Sequence, residues 1–475
     1  MPAVADRLRA ALGEAAVSTS ESDLDARSHD TWPVATLWAR LGRHPYRPEV
    51  VVRARGVADV VTTLRIATEA GVPVTAWGLG SSVTGQPLPV SGGVVLDLSG
   101  HVFEPRLDEV DRTVRVAAGT RGSDLEAWLA ERGLTLNHSP QSLGRSTVGG
   151  WVATRATGQF SSRYGGIEDL VVGYQVVLAD GTVAEVGQRP RAAMGPDLKE
   201  IFIGSEGTLG VVTEVTLKVY AEAPHRIVEA FAVPTVDAGL DAMRQITQAG
   251  LRPFLVRFYD RDEAAHAVPG REVPSPVLFL GHEGLPGVAT AEHTAATAIV
   301  EALGGTSMGA PPVTAWLGRR YDFSTIERRL AETGGYAETI EVAHFWSRIG
   351  PMYRDLKDQL APLADEVLGH FSHVYEQGSS LYVILLGRAD DDKTALARLE
   401  EIWDRAMKVV VAHEGEVSHH HGGGLARQPW VRQSLGSGYP VLERIKAGLD
   451  PAHLLNPGKL GFGLAQPRDP EPPAV

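Results

Sequence analysis

The sequence predicts an α+β fold, on three observations. From Arg47 onward, short apolar runs of β character alternate with helical patterns. The pair Asp180-Gly181, a strong hairpin signal, joins two such runs. After Ala223 the composition shifts to long helical patterns set between strands. Taken in order, residues 1–45 read as an amphipathic helix (MPAVADRLRAALGEAAV) and a loop carrying Trp32, Pro33 and Trp38. The run Val50–Val52 leads to a helix over Val57–Ala70, a strand over Val72–Trp77 and a further strand over Val94–Leu98. The next helix is expected over Ser123–Arg132, with Ser123 as N-cap and Gly133 closing it. Val171–Ala179 and Val183–Val186 are the two arms of the hairpin, and Leu209–Tyr220 alternates like a half-buried strand. Beyond residue 224, helices are expected over Ala238–Ala249, Thr290–Leu303, Ser347–Leu363 and Asp391–Glu414. Strands are expected over Ile227–Val233, Phe254–Tyr259, Pro276–Gly281 and Tyr382–Leu386, with Gly369–Tyr382 as a loop entering the last of them. Residues 431–475 form a closing segment with a Pro-rich tail, Pro467–Val475.

At 475 residues the chain has room for two to four domains. A formal net charge of −13 argues against a broad nucleic-acid surface, which needs basic patches, but leaves room for a local cationic pocket. The absence of Cys excludes disulfides, Cys-ligated metals and thiol nucleophiles. No apolar run is long enough for a membrane span. The N-terminal pattern lacks the apolar core of a signal peptide and the tail carries no peroxisomal address, so a cytoplasmic location is expected.

Three Gly-rich segments stand out: Trp77-Gly-Leu-Gly-Ser-Ser-Val-Thr-Gly85, Ser146-Thr-Val-Gly-Gly-Trp151 running on to Tyr164-Gly-Gly-Ile-Glu-Asp-Leu170, and Gly204-Ser-Glu-Gly-Thr-Leu-Gly210. Glycine lets backbone approach a flat or charged ligand closely. The first loop is not a Rossmann fingerprint, because Pro87 and Pro89 follow Gly85 where that fingerprint opens a helix. Its N–H groups and the hydroxyls of Ser81, Ser82 and Thr84 suit a pyrophosphate instead.

The second half holds the candidates for chemistry. Ser418-His-His-His-Gly-Gly-Gly424 offers three imidazoles, the side chains that exchange protons near neutral pH. Tyr382 follows the segment containing His370 and His373; a phenol of pKa about 10 needs a neighbour to act as a base. Trp316-Leu-Gly-Arg-Arg-Tyr321 places two cations in a net-acidic chain.

Together these motifs resemble the vanillyl-alcohol oxidase and p-cresol methylhydroxylase flavoproteins, and within them alkyl-dihydroxyacetonephosphate synthases. The resemblance is strongest over 140–220 and 418–430, where Arg427-Gln-Pro-Trp430 also fits. It implies a two-subdomain FAD-binding domain of the p-cresol methylhydroxylase type over 46–223 and a substrate (cap) domain over 224–430. The segment 431–475 would then return to the FAD domain. FAD contacts would come from Gly78, Gly80, Ser81, Ser82 and Gly85, from Ser146, Thr147, Gly149, Gly150 and Thr154, and from Glu206, Gly207 and Val212. The flavin would be non-covalent, since the chain has no Cys and Thr75–Gly85 has no His. Tyr382 would take a proton from substrate C1 and His420 would carry the central acid–base role. His419 and His421 would orient it, and Arg319 would bind an anionic group. No metal is expected, because His419 or His420 stands where related 2-hydroxy-acid dehydrogenases have a ligating Glu, although His370 and His373 lie nearby. The implied reaction exchanges an acyl for an alkyl group through an adduct at flavin N5. The alternative is a FAD-dependent dehydrogenase or oxidase acting on an alcohol or 2-hydroxy acid. The substrate would be an anionic small molecule, a phosphate or carboxylate with an acyl or alkyl chain; a homodimer stays open.

Overall fold

The computed structural model describes residues 1–268 and 273–463. Its N-terminal half holds two sheets. The first runs Val17–Ser18, Val50–Arg53, Val94–Asp97, Val74–Trp77, with the last three strands parallel. Those strands are short valine-rich runs buried on both faces, as parallel strands under helices must be. Residues 1–45 are part of this unit: Val17 and Ser18 pair with Val52 and Val51, and Val4, Ala5 and Leu8 of the helix Pro2–Leu12 join its core. The second sheet is antiparallel, in the order Arg106–Asp108, Thr113–Ala117, Val211–Lys218, Val171–Val177, Val183–Gly187. Its last two strands are the hairpin predicted at Asp180-Gly181, where Gly181 takes φ 82°.

The helix Val57–Ala70 is found as predicted and ends on Gly71 in the left-handed region. The helix expected at Ser123 starts one residue earlier, at Gly122, and Ser123 does not cap it; its hydroxyl reaches Asp124. Packing sets that start, since a Cβ on Gly122 would lie 2.3 Å from the Trp151 ring.

The second half builds one seven-stranded antiparallel sheet. Its order is Thr306–Gly309, His225–Ala232, Val277–Gly284, Leu255–Tyr259, Glu366–Val374, Gly378–Arg388, Gly335–Phe345. The four predicted helices are present as Val236–Gln248, Pro286–Ala302, Trp346–Leu360 and Asp392–Ala412. Three strands depart from expectation, the short edge strand Thr306–Gly309 among them. Gly369–Tyr382 is not a loop but the greater part of the hairpin formed by Glu366–Val374 and Gly378–Arg388. Gly335–Phe345 is a long strand whose two buried carboxylates, Glu338 and Glu341, break the apolar alternation that would have revealed it.

The chain then returns to its N-terminal half. Leu455 bridges Val74 in parallel, Asn456 donates to the carbonyls of Gln86 and Glu206, and Lys446 Nζ donates to those of Thr208 and Leu455. The tail Pro467–Val475 lies outside the described residues. Among the described residues no helix is long and apolar enough to cross a membrane.

Candidate active site

Strand register assembles the site. Glu341 lies opposite Tyr382, Tyr382 opposite His370, and His370 opposite Tyr259, forming one rung across four neighbouring strands. Residues directly opposite one another share a face of the sheet, so all four side chains project to the same side. The His370 ring stacks on Tyr382 at 4.6 Å, and its two nitrogens are engaged by Glu263 at 2.7 Å and Arg257 at 2.8 Å.

The triple-His loop closes over this rung. The Tyr382 hydroxyl lies 2.5 Å from His420 Nε2 and 3.0 Å from His421 Nε2. His420 Nδ1 lies 2.8 Å from His419 Nδ1, whose other nitrogen meets the Tyr375 hydroxyl at 2.7 Å. Beneath the loop sits Glu341, fully buried, which accepts the backbone N–H groups of His420 and His421. Arg427, also fully buried, pairs with Glu341 at 3.0 Å and donates to the carbonyls of Val417 and Gly422, stapling the two ends of the loop. Burial alone would raise the Glu341 carboxyl. The facing His420, and then the Arg427 guanidinium, hold it well below the usual carboxylate range. Burial lowers His421 to about 3, so its ring is neutral. Tyr382 is pushed up, first by burial and then by Glu341, while Arg257 and Arg427 pull it back.

The structure brings together Tyr382, His419, His420 and His421, the four residues singled out in the sequence for catalysis, and adds Glu341, Arg257 and the anchoring Arg427, which were not. Arg257 sits in the apolar run Phe254–Tyr259, where it reads as an ordinary outward residue. Among the described residues no carboxylate forms an ion pair with it. Its Nε bonds Tyr259, its Nη2 bonds His370, and its guanidinium lies 5.4 Å from the Trp316 ring. Arg319, the expected anion site, is half-buried one helical turn from Trp316 and donates to the carbonyl of Ala267. It lies on the helix whose Trp316 faces Arg257, and it is partly engaged already. Glu341, His419 and His420 bring ligating atoms within 4.8 Å of one another. Each of those groups is engaged by its neighbours, and His370 has both nitrogens spent.

The three Gly-rich loops converge beside this site. A Cβ on Gly78 would lie 2.7 Å from Thr147 Oγ1, and one on Gly207 would lie 3.6 Å from Ala76. Gly80 and Gly85 take positive φ, and no helix follows Gly85. Ser81 has a half-buried side chain, and Ser82 receives the N–H groups of Thr84 and Gln86. Several expected cofactor hydroxyls are instead used within the fold. Ser146 binds Ser142 and Trp151, Thr147 caps the helix Val148–Thr154, and Thr154 bonds back to Gly150. Glu206 is likewise committed elsewhere, since its carboxylate accepts Gln86, Gly423 and Gly424 and so ties the His loop to the first domain. Val212 is packed in the core of that domain.

The chain matches the family described as FAD linked oxidases, C-terminal domain, over residues 222–460 and the FAD binding domain over 48–187. It belongs to the FAD-linked oxidase family and is an FAD-dependent enzyme. An FAD-linked oxidoreductase of Escherichia coli (strain K12), YgcU, is 30% identical over 96% of this chain and 98% of its own. The alkyldihydroxyacetonephosphate synthase of Dictyostelium discoideum is 27% identical over 91% of this chain and 76% of its own. A solved alkyldihydroxyacetonephosphate synthase superposes with TM-score 0.80 at 22% identity, covering 96% of this chain and 84% of that one. For p-cresol methylhydroxylase the values are 0.81 and 16%, covering 98% and 97%.

The residues beside the Gly-rich loops fit such a cofactor. Among the described residues, both ring nitrogens of His138, Thr120 Oγ1 and Gln86 Oε1 are buried without a partner, each next to one of the loops. A polar ligand placed there would satisfy them. With no Cys in the chain, acid denaturation should release the flavin into the supernatant, and colour retained in the pellet would contradict a non-covalent mode. The two adjacent glycines behave differently. A Cβ on Gly149 would lie 2.6 Å from the Ala118 Cβ, so its substitution damages the fold itself. One on Gly150 meets only Thr147 Oγ1, at 3.2 Å. Gly150→Val should lose flavin yet unfold thermally near wild type, read by absorbance and calorimetry; full occupancy would move the cofactor away from this loop.

Proposed function

We propose that this enzyme carries out synthase-like exchange, replacing the acyl group of an acyl-dihydroxyacetonephosphate by an alkyl group from a fatty alcohol. The observation that carries the reading is the Tyr382 hydroxyl held between two imidazoles on a buried carboxylate–arginine base. Bound FAD supplies an electron sink for the substrate carbon. Tyr382 takes the C1 proton after passing its own to His420 Nε2. The neutral His421, with its proton on Nε2, donates to the tyrosine oxygen as negative charge develops there. Glu341 and Arg427 keep the His loop in place, and Arg257 with Arg319 receives the substrate's anionic group. No metal enters this scheme. The test is incorporation of labelled hexadecanol into palmitoyl-dihydroxyacetonephosphate by the FAD-loaded protein, with and without prior chelation. Incorporation insensitive to chelation supports the reading, and its absence refutes it.

A second reading, oxidation of a 2-hydroxy acid, is favoured by Arg257, which has no carboxylate partner among the described residues and suits a carboxylate as well as a phosphate, and by the similarity to a probable mitochondrial D-lactate dehydrogenase of Danio rerio, 28% identical over 87% of this chain and 84% of its own. On either reading Arg257→Lys should raise KM by about 10–100-fold with flavin content unchanged, as expected for the loss of a charge-assisted hydrogen bond. Arg319→Lys should have a smaller effect, because part of that guanidinium is engaged by Ala267. The reverse order would make Arg319 the principal anion site.

A further inference from the structure

The contacts at Tyr382 do not stop at His420. Tyr382 Oη, His420, His419 and Tyr375 Oη form an unbroken chain with separations of 2.5, 2.8 and 2.7 Å. Tyr382 is the inner end, beneath the loop. Tyr375, near the turn between Glu366–Val374 and Gly378–Arg388, is 39% exposed. We propose that Tyr375 is the outer terminus of a proton relay that connects Tyr382 with solvent.

The proton balance closes in one concerted shift. Tyr382 gives its hydroxyl proton to His420 Nε2, and His420 Nδ1–H passes to His419 Nδ1. His419 Nε2–H then passes to Tyr375 Oη, and the Tyr375 hydroxyl proton leaves to water. One phenolate is formed at Tyr382, one proton reaches solvent, both imidazoles end neutral in the opposite tautomer, and no electrons move. The need for the relay is physical: a phenol this deeply buried beside Glu341 cannot ionise unless its proton has somewhere to go. The surroundings hold the chain in line. Glu341 Oε1, 3.1 Å from His420 Nδ1, shares that N–H with His419 and so fixes the starting tautomer with the proton on Nδ1, and the His373 ring stacks on His419 at 5.2 Å while being tied to Ser161. At the outer end burial of the hydroxyl first, and then Glu168 and Asp169, raise Tyr375 while Arg155 lowers it, so this phenol passes a proton on without holding a charge; at the inner end Arg257 and Arg427 face Tyr382.

The relay rests on the assignment of Tyr382 as the proton-handling group, and its test has one arm that needs no substrate. In FAD-loaded protein labelled with ¹⁵N-histidine, the imidazole N–H signals of the His419–His420 pair are assigned by their loss in His419→Gln, and their exchange with water is measured. Tyr375→Phe, which removes only the hydroxyl, should slow that exchange by about 10-fold or more, the lower end of what a positioned acid–base group contributes. In the second arm, turnover of palmitoyl-dihydroxyacetonephosphate with hexadecanol should fall in Tyr375→Phe and recover with added imidazole buffer at constant pH. Misfolding would not be rescued that way. Unchanged exchange in Tyr375→Phe overturns the relay. A wild-type protein inert toward that ester removes the synthase reading, while the exchange arm still decides the relay.

Discussion

Tyr382→Phe should leave FAD bound and lower turnover by about 10²–10⁴, the range for a lost acid–base group. The change removes one oxygen from a ring packed against His370 and touches none of the Gly-rich loops, so cofactor occupancy and chemistry should separate. His420→Ala should fall in the same range, because it removes the acceptor 2.5 Å from that oxygen. If the two groups handle one proton, as proposed, the double variant should be little worse than either single one; coupled catalytic residues are not additive. Steady-state kinetics at saturating substrate, with flavin absorbance as the occupancy control, decides it. Multiplicative losses would mean independent roles, and wild-type turnover in both singles would move the active site elsewhere.

Glu341→Ala should cost about 3–5 kcal/mol of stability, the usual consequence of leaving a buried charge without its partner. Arg427 is fully buried against Glu341, and the same carboxylate also satisfies the backbone of His420 and His421. Turnover should be lost together with thermal stability. Glu341→Ala combined with Arg427→Leu should recover part of the stability by removing the stranded charge, but not turnover, because nothing then staples Val417 to Gly422. Calorimetry beside kinetics separates the two effects. A double variant that regains activity would show that the buried pair is a stabilising device alone.

The parts of this molecule legible in its sequence are those whose chemistry is local. Gly-rich spacing revealed the three loops, and Asp180-Gly181 revealed the hairpin, because the conformational demand is met by the residues that announce it. The His cluster and Tyr382 were legible as proton-handling types, and the hairpin Glu366–Val374 with Gly378–Arg388 places them together. What was not legible depends on distant partners. Nothing near Glu206 shows that its carboxylate is spent on Gly423 and Gly424. Thr147 and Thr154 read as ligand hydroxyls until the short helix between them claims one as its cap and the other as a back-bond. Glu341 defeated the alternation rule because its burial is made tolerable by Arg427, a residue on another element. Arg257 had no local signal at all; only register and the stack above it place it beside Tyr382.

The central claim is redox-neutral exchange at Tyr382, and the anaerobic spectrum of the FAD-loaded protein tests it most directly. Palmitoyl-dihydroxyacetonephosphate should bleach the flavin band, and hexadecanol should restore it without any added oxidant. Persistent reduction of the flavin by a 2-hydroxy acid, with no response to the acyl ester, would contradict the account.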